Sequence, residues 1–285
     1  MQTEPVAFHS DGLQLGGAFF LPDEFDDATA QPLVISCSGF TGLMNIHPAR
    51  FARFLTARGR LCFGFDYRGF GGSEGERRRV ILDEQVRDII SAVSFAEADP
   101  RIDRDRVILL GWGMGAGLVI DAARELLGVV GLVLLNGFYC GKRVQLAHRG
   151  PTEYLAFRDM IREQYSRRAH GESPDQADPF HFYPLDPQSR EHVDKVLRTH
   201  EGYDTQLYSA EMADSLLRWN PEAYAPHMRT PMLIAHGTRN ALHPYTEAEH
   251  LFSAWGGPKQ IHWIQGAGHT EWMLDDNPHF QALGR

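Results

Sequence analysis

Lysine, cysteine and long apolar runs are all scarce in this 285-residue sequence. Arginine supplies most of the positive charge, because only three of the 28 basic residues are lysines. With 37 acidic residues the formal net charge is −9, which argues against nucleic acid or an anionic membrane as the main partner. The longest apolar run, Val129 to Leu135, is far too short to span a bilayer.

The three cysteines are odd in number and show no C-x-x-C spacing, which favours a reduced, cytoplasmic setting. Residues 1–10 lack a basic segment followed by an apolar one, so we expect no signal peptide. The histidines and acidic residues show no metal-site spacing such as H-E-x-x-H. We therefore expect neither a metal nor another cofactor.

The periodicity is that of an α/β protein. Short apolar runs typical of buried strands alternate with segments whose apolar residues recur at helical spacing. The predicted strands are 33–36, 61–65, 107–110, 129–135, 231–237 and 260–264. Residues 6–21 alternate and carry glycines, which predicts an antiparallel hairpin. This pattern predicts a mostly parallel central sheet with helices on both faces.

The composition becomes polar between Gly141 and about Pro226, where proline breaks interrupt pieces with helical periodicity. We interpret residues 141–226 as an inserted lid, and residues 1–140 and 227–285 as one core. Helices are expected from Glu153 to Arg168 and from Arg190 to Arg198. The lid side chains that either line a pocket or tie the lid to the core are His148, Tyr154, Arg158, His181, Tyr183 and Tyr203.

The stretch from Ile108 to Gly117 predicts a strand, a tight glycine turn and a helix. This is the context of the nucleophile elbow G-x-S-x-G, but the serine position holds Gly113. Glycine either relieves the strain of such a turn or leaves room there for a substrate atom or a water. The literal G-x-S-x-G at 71–75 leads into an arginine run and is interpreted as a structural turn.

Five motifs occur in a fixed order: Ser38–Gly42, Asp66–Gly71, Gly111–Gly115, His236–Asn240 and Gly268–His269. With these motifs the sequence resembles the α/β-hydrolase superfamily, in particular its esterase and serine-peptidase-like branches. The resemblance covers Leu33 to Gly141 and Pro231 to the end. It implies the α/β-hydrolase fold, with the backbone N–H groups of Phe40 and Met114 as an oxyanion hole.

The resemblance also implies a triad in the order Ser, Asp, His, but these positions hold Gly113, Asn240 and His269. The alternative position for the acid, near Asn136, is uncharged as well, and Glu271 is a candidate substitute. Since two of the three groups are missing, an acyl-enzyme mechanism is not expected.

The remaining candidate residues surround this degenerate triad. His269 is expected to act as a base or proton donor, and Asn240 to steer its ring by accepting from or donating to Nδ1. Loss of the carboxylate should lower the pKa of His269. Ser38 and Trp112 border the oxyanion loop and the elbow. A replacement nucleophile at Ser38 or at the neighbouring Cys37 is weighed against strand packing or loop hydrogen bonds.

Three functions stay open. The leading expectation is a non-hydrolytic enzyme, a lyase, cyclase or isomerase, that uses His269 and the oxyanion hole next to a carbonyl group. The alternatives are a ligand-binding or scaffold protein without catalysis and a weak hydrolase in which His269 activates a water. The expected partner is a small molecule containing a carbonyl, with no nucleic acid and no membrane; a homodimer is left open.

Overall fold

The structure is a computed structural model that describes residues 1–40, 42–203, 206–270, 272 and 277–282. It contains a central β-sheet. Its strands form mainly where apolar or alternating runs occur in the sequence. The strands in chain order are β1 Gln2–Ser10, β2 Leu13–Leu21, β3 Gln31–Cys37, β4 Leu61–Phe65, β5 Ile102–Trp112, β6 Val129–Leu135, β7 Gln176–Ala177, β8 Tyr208–Ser209, β9 Met232–Gly237 and β10 Lys259–Ile264.

Eight of these strands pair in the order β1-β2-β4-β3-β5-β6-β9-β10. β1 and β2 form the predicted antiparallel hairpin, and β2 is antiparallel to β4. Every further pairing, from β4 to β10, is parallel. The prediction of a mostly parallel sheet is confirmed. The short β7 and β8 pair with each other in a separate two-stranded sheet.

The helices alternate with the strands of the core and fill the segment between β6 and β9. The α-helices are α1 His47–Thr56, α2 Leu82–Glu97, α3 Met114–Ala123, α4 Gly141–Ala169, α5 Pro179–Phe182, α6 Pro187–Lys195, α7 Glu211–Arg218, α8 Tyr245–Ala254 and α9 Pro278–Ala282. 3₁₀ turns lie at Leu197–Thr199 and Pro221–His227.

Both faces of the sheet are covered, because side chains along each strand alternate between them. Leu109 joins the large core cluster that also contains side chains of α2, α3 and α8. Leu110, its neighbour in β5, joins the second cluster with Phe51 of α1 and Phe280 of α9. The predicted helices on both faces are therefore present.

Several boundaries differ from the prediction by a few residues; for example, the helix expected from Arg190 to Arg198 is α6, Pro187–Lys195. Helix α4 consists of two helices that meet at a kink at Gly150 (φ 66°), immediately before Pro151. The helix after the kink confirms the one expected from Glu153 to Arg168, and the helix before it was not predicted. β5 spans Ile102–Trp112 and is longer at both ends than the predicted strand 107–110. None of the helices in the described ranges combines the length and hydropathy needed to cross a bilayer.

The parallel strands place their carboxyl ends at one edge of the sheet, which is where ligands bind in such folds. The loop after β3 carries Phe40, the turn after β5 carries Gly113, and Asn136 follows β6. Asn240 follows β9 and His269 follows β10. The fold therefore brings these distant segments of the sequence to a single edge.

Candidate active site

Gly113 forms the turn between β5 and α3 in a conformation that glycine adopts without strain (φ 56°, ψ −118°). Its amide donates to the carbonyl of Leu135, the last residue of β6 (2.9 Å). A β-carbon built on Gly113 would lie 3.6 Å from Nε2 of His269. The elbow thus has the expected shape, and position 113 faces the histidine.

The imidazole of His269 is buried, with 5% of the residue exposed. Its ring centroid lies 5.0 Å from that of Trp112 and 4.7 Å from that of His243. Within the described ranges, no residue hydrogen-bonds to Nδ1 of His269. Burial, and then the neighbouring imidazole of His243, lowers the pKa of His269 well below its ordinary value. The ring is therefore neutral at pH 7 and can accept a proton.

Asn136 holds the loop that carries His269. Its side-chain amide donates to the carbonyls of His269 (2.7 Å) and Gly268 (3.3 Å), and its Oδ1 accepts from the amide of Gly237 (2.8 Å). The residue has a positive φ of 48°. Asn136 was weighed only as a substitute for the acid; it instead ties the loop after β10 to the ends of β6 and β9.

The structure does not bring Asn240 to the ring of His269, contrary to expectation. Its Oδ1 accepts from the backbone amide of His243 (2.9 Å), and its Nδ2 lies 3.3 Å from Nε2 of His236. The amide is therefore occupied within its own loop, where it fixes the turn after β9. Glu271, the candidate substitute acid, lies outside the described residues.

His243 is a second imidazole at the site and was not among the residues predicted from the sequence. Its Nδ1 lies 2.6 Å from the carbonyl of Asn136. Because a carbonyl only accepts, Nδ1 carries the hydrogen, and Nε2 accepts from the hydroxyl of Tyr183. Burial lowers the pKa of His243 to about 3. Its Cε1 would lie 3.9 Å from a β-carbon on Gly113. A single histidine in a loop belongs to no periodic pattern, so its place at the site could not be predicted from the sequence.

The oxyanion loop passes close over the elbow. A β-carbon on Gly39 would lie 2.7 Å from the carbonyl of Trp112 and 3.6 Å from the amide of Met114, so only glycine fits there. Met114 begins α3, where backbone N–H groups lack intrahelical acceptors. No acceptor in the described part of the chain takes a hydrogen bond from the amides of Phe40 or Met114. Both N–H groups can therefore bind an oxyanion.

A small cavity of about 60 Å³ lies in front of the elbow. Its lining combines apolar and aromatic side chains with a few polar groups. The lining residues are Gly39, Phe40, His47, Trp112, Gly113, Met114, Phe180, Tyr183, Leu185, Ser189, His192, Val193, Leu197, Tyr203, Leu242, His269 and Thr270.

Only some of the candidate lid residues reach this cavity. Tyr183 and Tyr203 line it, and the ring of Tyr183 stacks on Phe40 with a centroid distance of 5.6 Å. His148 instead donates from Nε2 to the carbonyl of Leu242 (2.6 Å), which ties α4 to the loop after β9. His181, Tyr154 and Arg158 are not among the lining residues in the described ranges.

The other nucleophile candidates serve the fold. Ser38 is fully buried and is not among the described residues that line the cavity. Ser73, in the second G-x-S-x-G, donates to the carbonyl of Asp66 (2.6 Å) and accepts from Gly16, as a structural turn does. Burial raises the pKa of the Cys37 thiol, which keeps it protonated and unreactive. Across the described ranges, no group of His, Cys, Asp or Glu side chains could hold a metal ion.

The parallel sheet, the elbow and the histidine at its edge define an α/β-hydrolase-fold protein. The family model Hydrolase_4, described as serine aminopeptidase S33, matches residues 28–276, and the chain belongs to this family.

Similar proteins cover most of the chain. It is 27% identical over 241 residues to the protein named "Uncharacterized 31.7 kDa protein in traX-finO intergenic region" of Escherichia coli, with 84% of each chain covered. It is 26% identical to Polyketide transferase ATR5 of Stachybotrys chlorohalonatus, covering 94% of this chain and 90% of the relative. The crystal structure of the α/β hydrolase GrgF from Penicillium superposes with a TM-score of 0.80 at 19% identity, covering 100% and 96% of the two chains.

Proposed function

We propose that this protein is a cofactor-independent enzyme that removes a proton next to the carbonyl group of a small molecule. Elimination, cyclisation, isomerisation and C–C cleavage all begin or end with such a step. The proposal depends mainly on one distance: a β-carbon built on Gly113 would lie 3.6 Å from Nε2 of His269. A substrate atom occupies the place that a serine side chain would take.

The proposed reaction needs one base and one site for negative charge. Nε2 of His269 takes a proton from the carbon next to the carbonyl, and the electron pair moves onto the carbonyl oxygen. The backbone N–H groups of Phe40 and Met114 stabilise that oxyanion. The imidazolium exchanges its N–H proton with solvent and then gives a proton back to the carbon, so that no net proton is gained or lost and the returned proton is deuterium in ²H₂O.

The neutral state of His269 supports its role as the base. No carboxylate in the described residues pairs with Nδ1, and burial holds the pKa of the ring low. A negative oxygen formed beside the ring stabilises the imidazolium and raises that pKa during the reaction. General-base catalysis of this kind contributes about 10²–10⁴-fold to a rate.

We further propose that residues 141–226 act as a lid over the site. Phe180 of α5, Tyr183 and His192 of α6 line the cavity, so this segment closes it opposite the elbow. The hydroxyl of Tyr183 donates to His243 in the core, which joins the lid to the site. A cavity lined mainly by apolar side chains limits the water that reaches a carbanion-like intermediate.

The test is an exchange experiment with carbonyl probes in ²H₂O. A panel of β-keto acyl thioesters and simple ketones is incubated with the protein, and loss of the proton next to the carbonyl is followed by NMR. The polyketide transferase among the relatives supports the choice of thioester probes. We expect exchange of deuterium without release of free thiol. A panel that shows no exchange, even with bound probes, would contradict the proposal.

A hydrolase is the second candidate, because the family match is to a hydrolase family and the space at Gly113 can hold a water. In that case Nε2 of His269 takes a proton from the water, which attacks the carbonyl directly. The same panel separates the two functions. Release of thiol without deuterium exchange favours hydrolysis, and binding without either reaction favours a ligand-binding protein.

A further inference from the structure

One face of the central sheet is buried along only part of the length of its strands. Towards the carboxyl ends, this face packs against Phe51 of α1 and Phe280 of α9. Closer to the amino ends, apolar side chains of four neighbouring strands are only partly buried, namely Val34 of β3, Ile108 of β5, Val133 of β6 and Leu233 of β9. The residues next to them along each strand point to the other face and are buried, for example Leu109 (0% exposed). This part of the apolar face is therefore accessible to a ligand.

These four side chains form a row at the bottom of two connected cavities, which together we call the sheet groove. The cavities measure about 630 Å³ and about 340 Å³, and both are lined by Ile108, Val133 and Leu233. The strands lie side by side in the order β3-β5-β6-β9. At a spacing of ~4.8 Å between strands, the row is about 14 Å long. Cavities of this size hold small molecules, and apolar patches left exposed on a folded chain mark binding sites.

The charged side chains around the sheet groove are all basic, although the whole chain has a net charge of −9. Arg58, Arg60 and Arg106 line the larger cavity and Lys259 lines the smaller one, with no carboxylate among the described lining residues. Nζ of Lys259 is occupied by backbone carbonyls at the end of α8. The arginines are exposed, and the ion pair of Arg106 with Asp103 is long, at 4.0 Å. An anionic group can therefore reach the arginines, and their charge favours it.

The basic side chains lie at one end of the sheet groove. Arg60 and Arg106 directly precede Leu61 of β4 and Val107 of β5, and both of these residues pair with Leu33 of β3. The two arginines therefore flank β3 near the amino ends of β3 and β4. The row of apolar side chains runs from there across β5 and β6 to β9. A groove with positive charge at one end and apolar side chains along the rest matches a ligand with a single anionic end and an apolar tail.

We propose that the sheet groove binds a free medium-chain fatty acid. Its carboxylate lies at Arg60 and Arg106, and its alkyl chain extends along the row of apolar side chains towards β9. Each methylene group that leaves water there contributes to the affinity. The groove lies near the amino ends of the strands, whereas His269 follows β10 at their carboxyl ends, so this site is separate from the cavity at the elbow. The inference does not depend on the proposed reaction.

The test measures binding of decanoate, octanoate and decanol to the native chain by isothermal titration calorimetry at pH 7.5 and low salt. We expect decanoate to bind about tenfold more tightly than octanoate, because two more methylene groups leave water. We expect it to bind about fivefold more tightly than decanol, because the carboxylate pairs with exposed arginines. Raising the salt concentration should reduce this second ratio and leave the affinity for decanol unchanged.

Two variants separate the two ends of the ligand. Arg60→Gln combined with Arg106→Gln should reduce the preference for decanoate over decanol to below about twofold and leave decanol binding unchanged. Leu233→Gln places a polar group in the middle of the row and should weaken both ligands by about fivefold. If Leu233→Gln does not fold, the double arginine variant still tests the site, because both of its side chains are exposed.

Matched controls come from exposed positions on α4. Arg158→Gln combined with Arg162→Gln makes the same change in charge, and Leu155→Gln, where the leucine is 56% exposed, makes the same change in polarity. Both controls should bind the three ligands as the native chain does. A preference for decanoate that survives in the double variant of Arg60 and Arg106, or no binding of decanoate at all, would overturn the inference.

The position of the ligand is measured by photo-cross-linking with a decanoate that carries a diazirine, followed by tandem mass spectrometry. We expect cross-links to Ile108, Val133 or Leu233, and cross-links confined to Met114 or His269 would overturn the inference. Sedimentation velocity tests the other occupant of such a face, a second copy of this chain. A dimer that Leu233→Gln converts to a monomer would also overturn the inference, because the partner copy would then cover the groove.

Discussion

Nε2 of His269 lies 3.6 Å from the position that a β-carbon would take on Gly113. This distance is ordinary van der Waals contact, so a serine could be built there without displacing the ring. The chain thus retains the geometry between elbow and histidine while holding no hydroxyl at position 113. A reaction at this site has to take its nucleophile or its acidic proton from a substrate or a water.

Gly113→Ser should place a hydroxyl within reach of His269. We expect the variant to be labelled at position 113 by a serine-directed fluorophosphonate, whereas the native chain should not be labelled at the elbow. The positive φ of 56° should cost about 1–3 kcal/mol of unfolding free energy. Intact-protein mass spectrometry measures the labelling, and chemical denaturation measures the stability.

The matched control for that variant is Gly59→Ser. Gly59 has a similar φ of 73° with no atom within 4 Å of a β-carbon, so the backbone cost is comparable and no histidine is near. It should lose stability without gaining a label. Equal labelling of both variants would contradict the geometry described for the elbow.

The pH profile of the exchange reaction should reflect the low pKa of His269. A base is active when unprotonated, and the folded pKa lies well below 6.5, so activity should be constant from about pH 6 to pH 8. It should fall only on the acid side of this range, as the ring gains its proton. Initial rates of deuterium exchange between pH 5 and pH 8 provide the measurement, and an acid limb centred near pH 7 would be inconsistent with a buried, unpaired imidazole.

Tyr183→Phe should weaken the contact between the end of α5 and the core. The substitution leaves Nε2 of His243 as a buried acceptor without a partner, which costs about 1–3 kcal/mol. Unfolding by urea should therefore show a lower midpoint with an unchanged slope. Tyr203→Phe, in the same cavity, is the control and should change the stability by less than about 0.5 kcal/mol. Identical midpoints for the two variants would exclude the proposed connection through Tyr183.

Asp121 should make the stability depend on pH. The residue is buried on α3 and accepts from Nε1 of Trp219 (2.8 Å), and burial raises its pKa from 3.8 to about 6. Because the pKa of Asp121 is raised in the folded state, the folded state binds the proton more tightly than the unfolded state does. The resulting contribution to the free energy of unfolding is fully present below pH 3.8 and is lost as the pH rises through 6. It amounts to about 3 kcal/mol between pH 4 and pH 7.

Asp121→Asn removes that titration and can still accept from Trp219. We expect the variant to be more stable than the native chain at pH 7, with the difference vanishing near pH 4. Denaturation curves at several pH values measure it, and Asp159→Asn, an exposed substitution on α4, is the control. A stability difference that does not change with pH would show that Asp121 ionises normally.

The fold was predictable from the sequence because the parallel strands are buried on both faces. Runs such as 61–65 and 129–135 match the strands residue for residue. A strand covered by helices on both faces needs apolar side chains along its whole length, so it appears in the sequence as a continuous apolar run. The part of α4 before Gly150 was not predicted, because its residues are mainly polar and show no apolar period.

Site residues were predictable where a sequence motif implies a known backbone conformation, and were not predictable where contacts between loops determine their positions. The glycine turn located Gly113, and the order of the motifs located His269. Asn240 hydrogen-bonds within its own loop. The hydrogen bond between Tyr183 and His243, and the use of Asn136 to fix His269, depend on contacts between segments that are distant in the sequence. Such contacts leave no periodic trace in a single sequence.

The most direct test of the account is the rate of deuterium exchange next to the carbonyl in His269→Ala compared with the native chain. If His269 is the base, the rate per bound probe should fall by about 10²–10⁴-fold while probe affinity changes little. An exchange rate that is unchanged in His269→Ala would contradict the central claim.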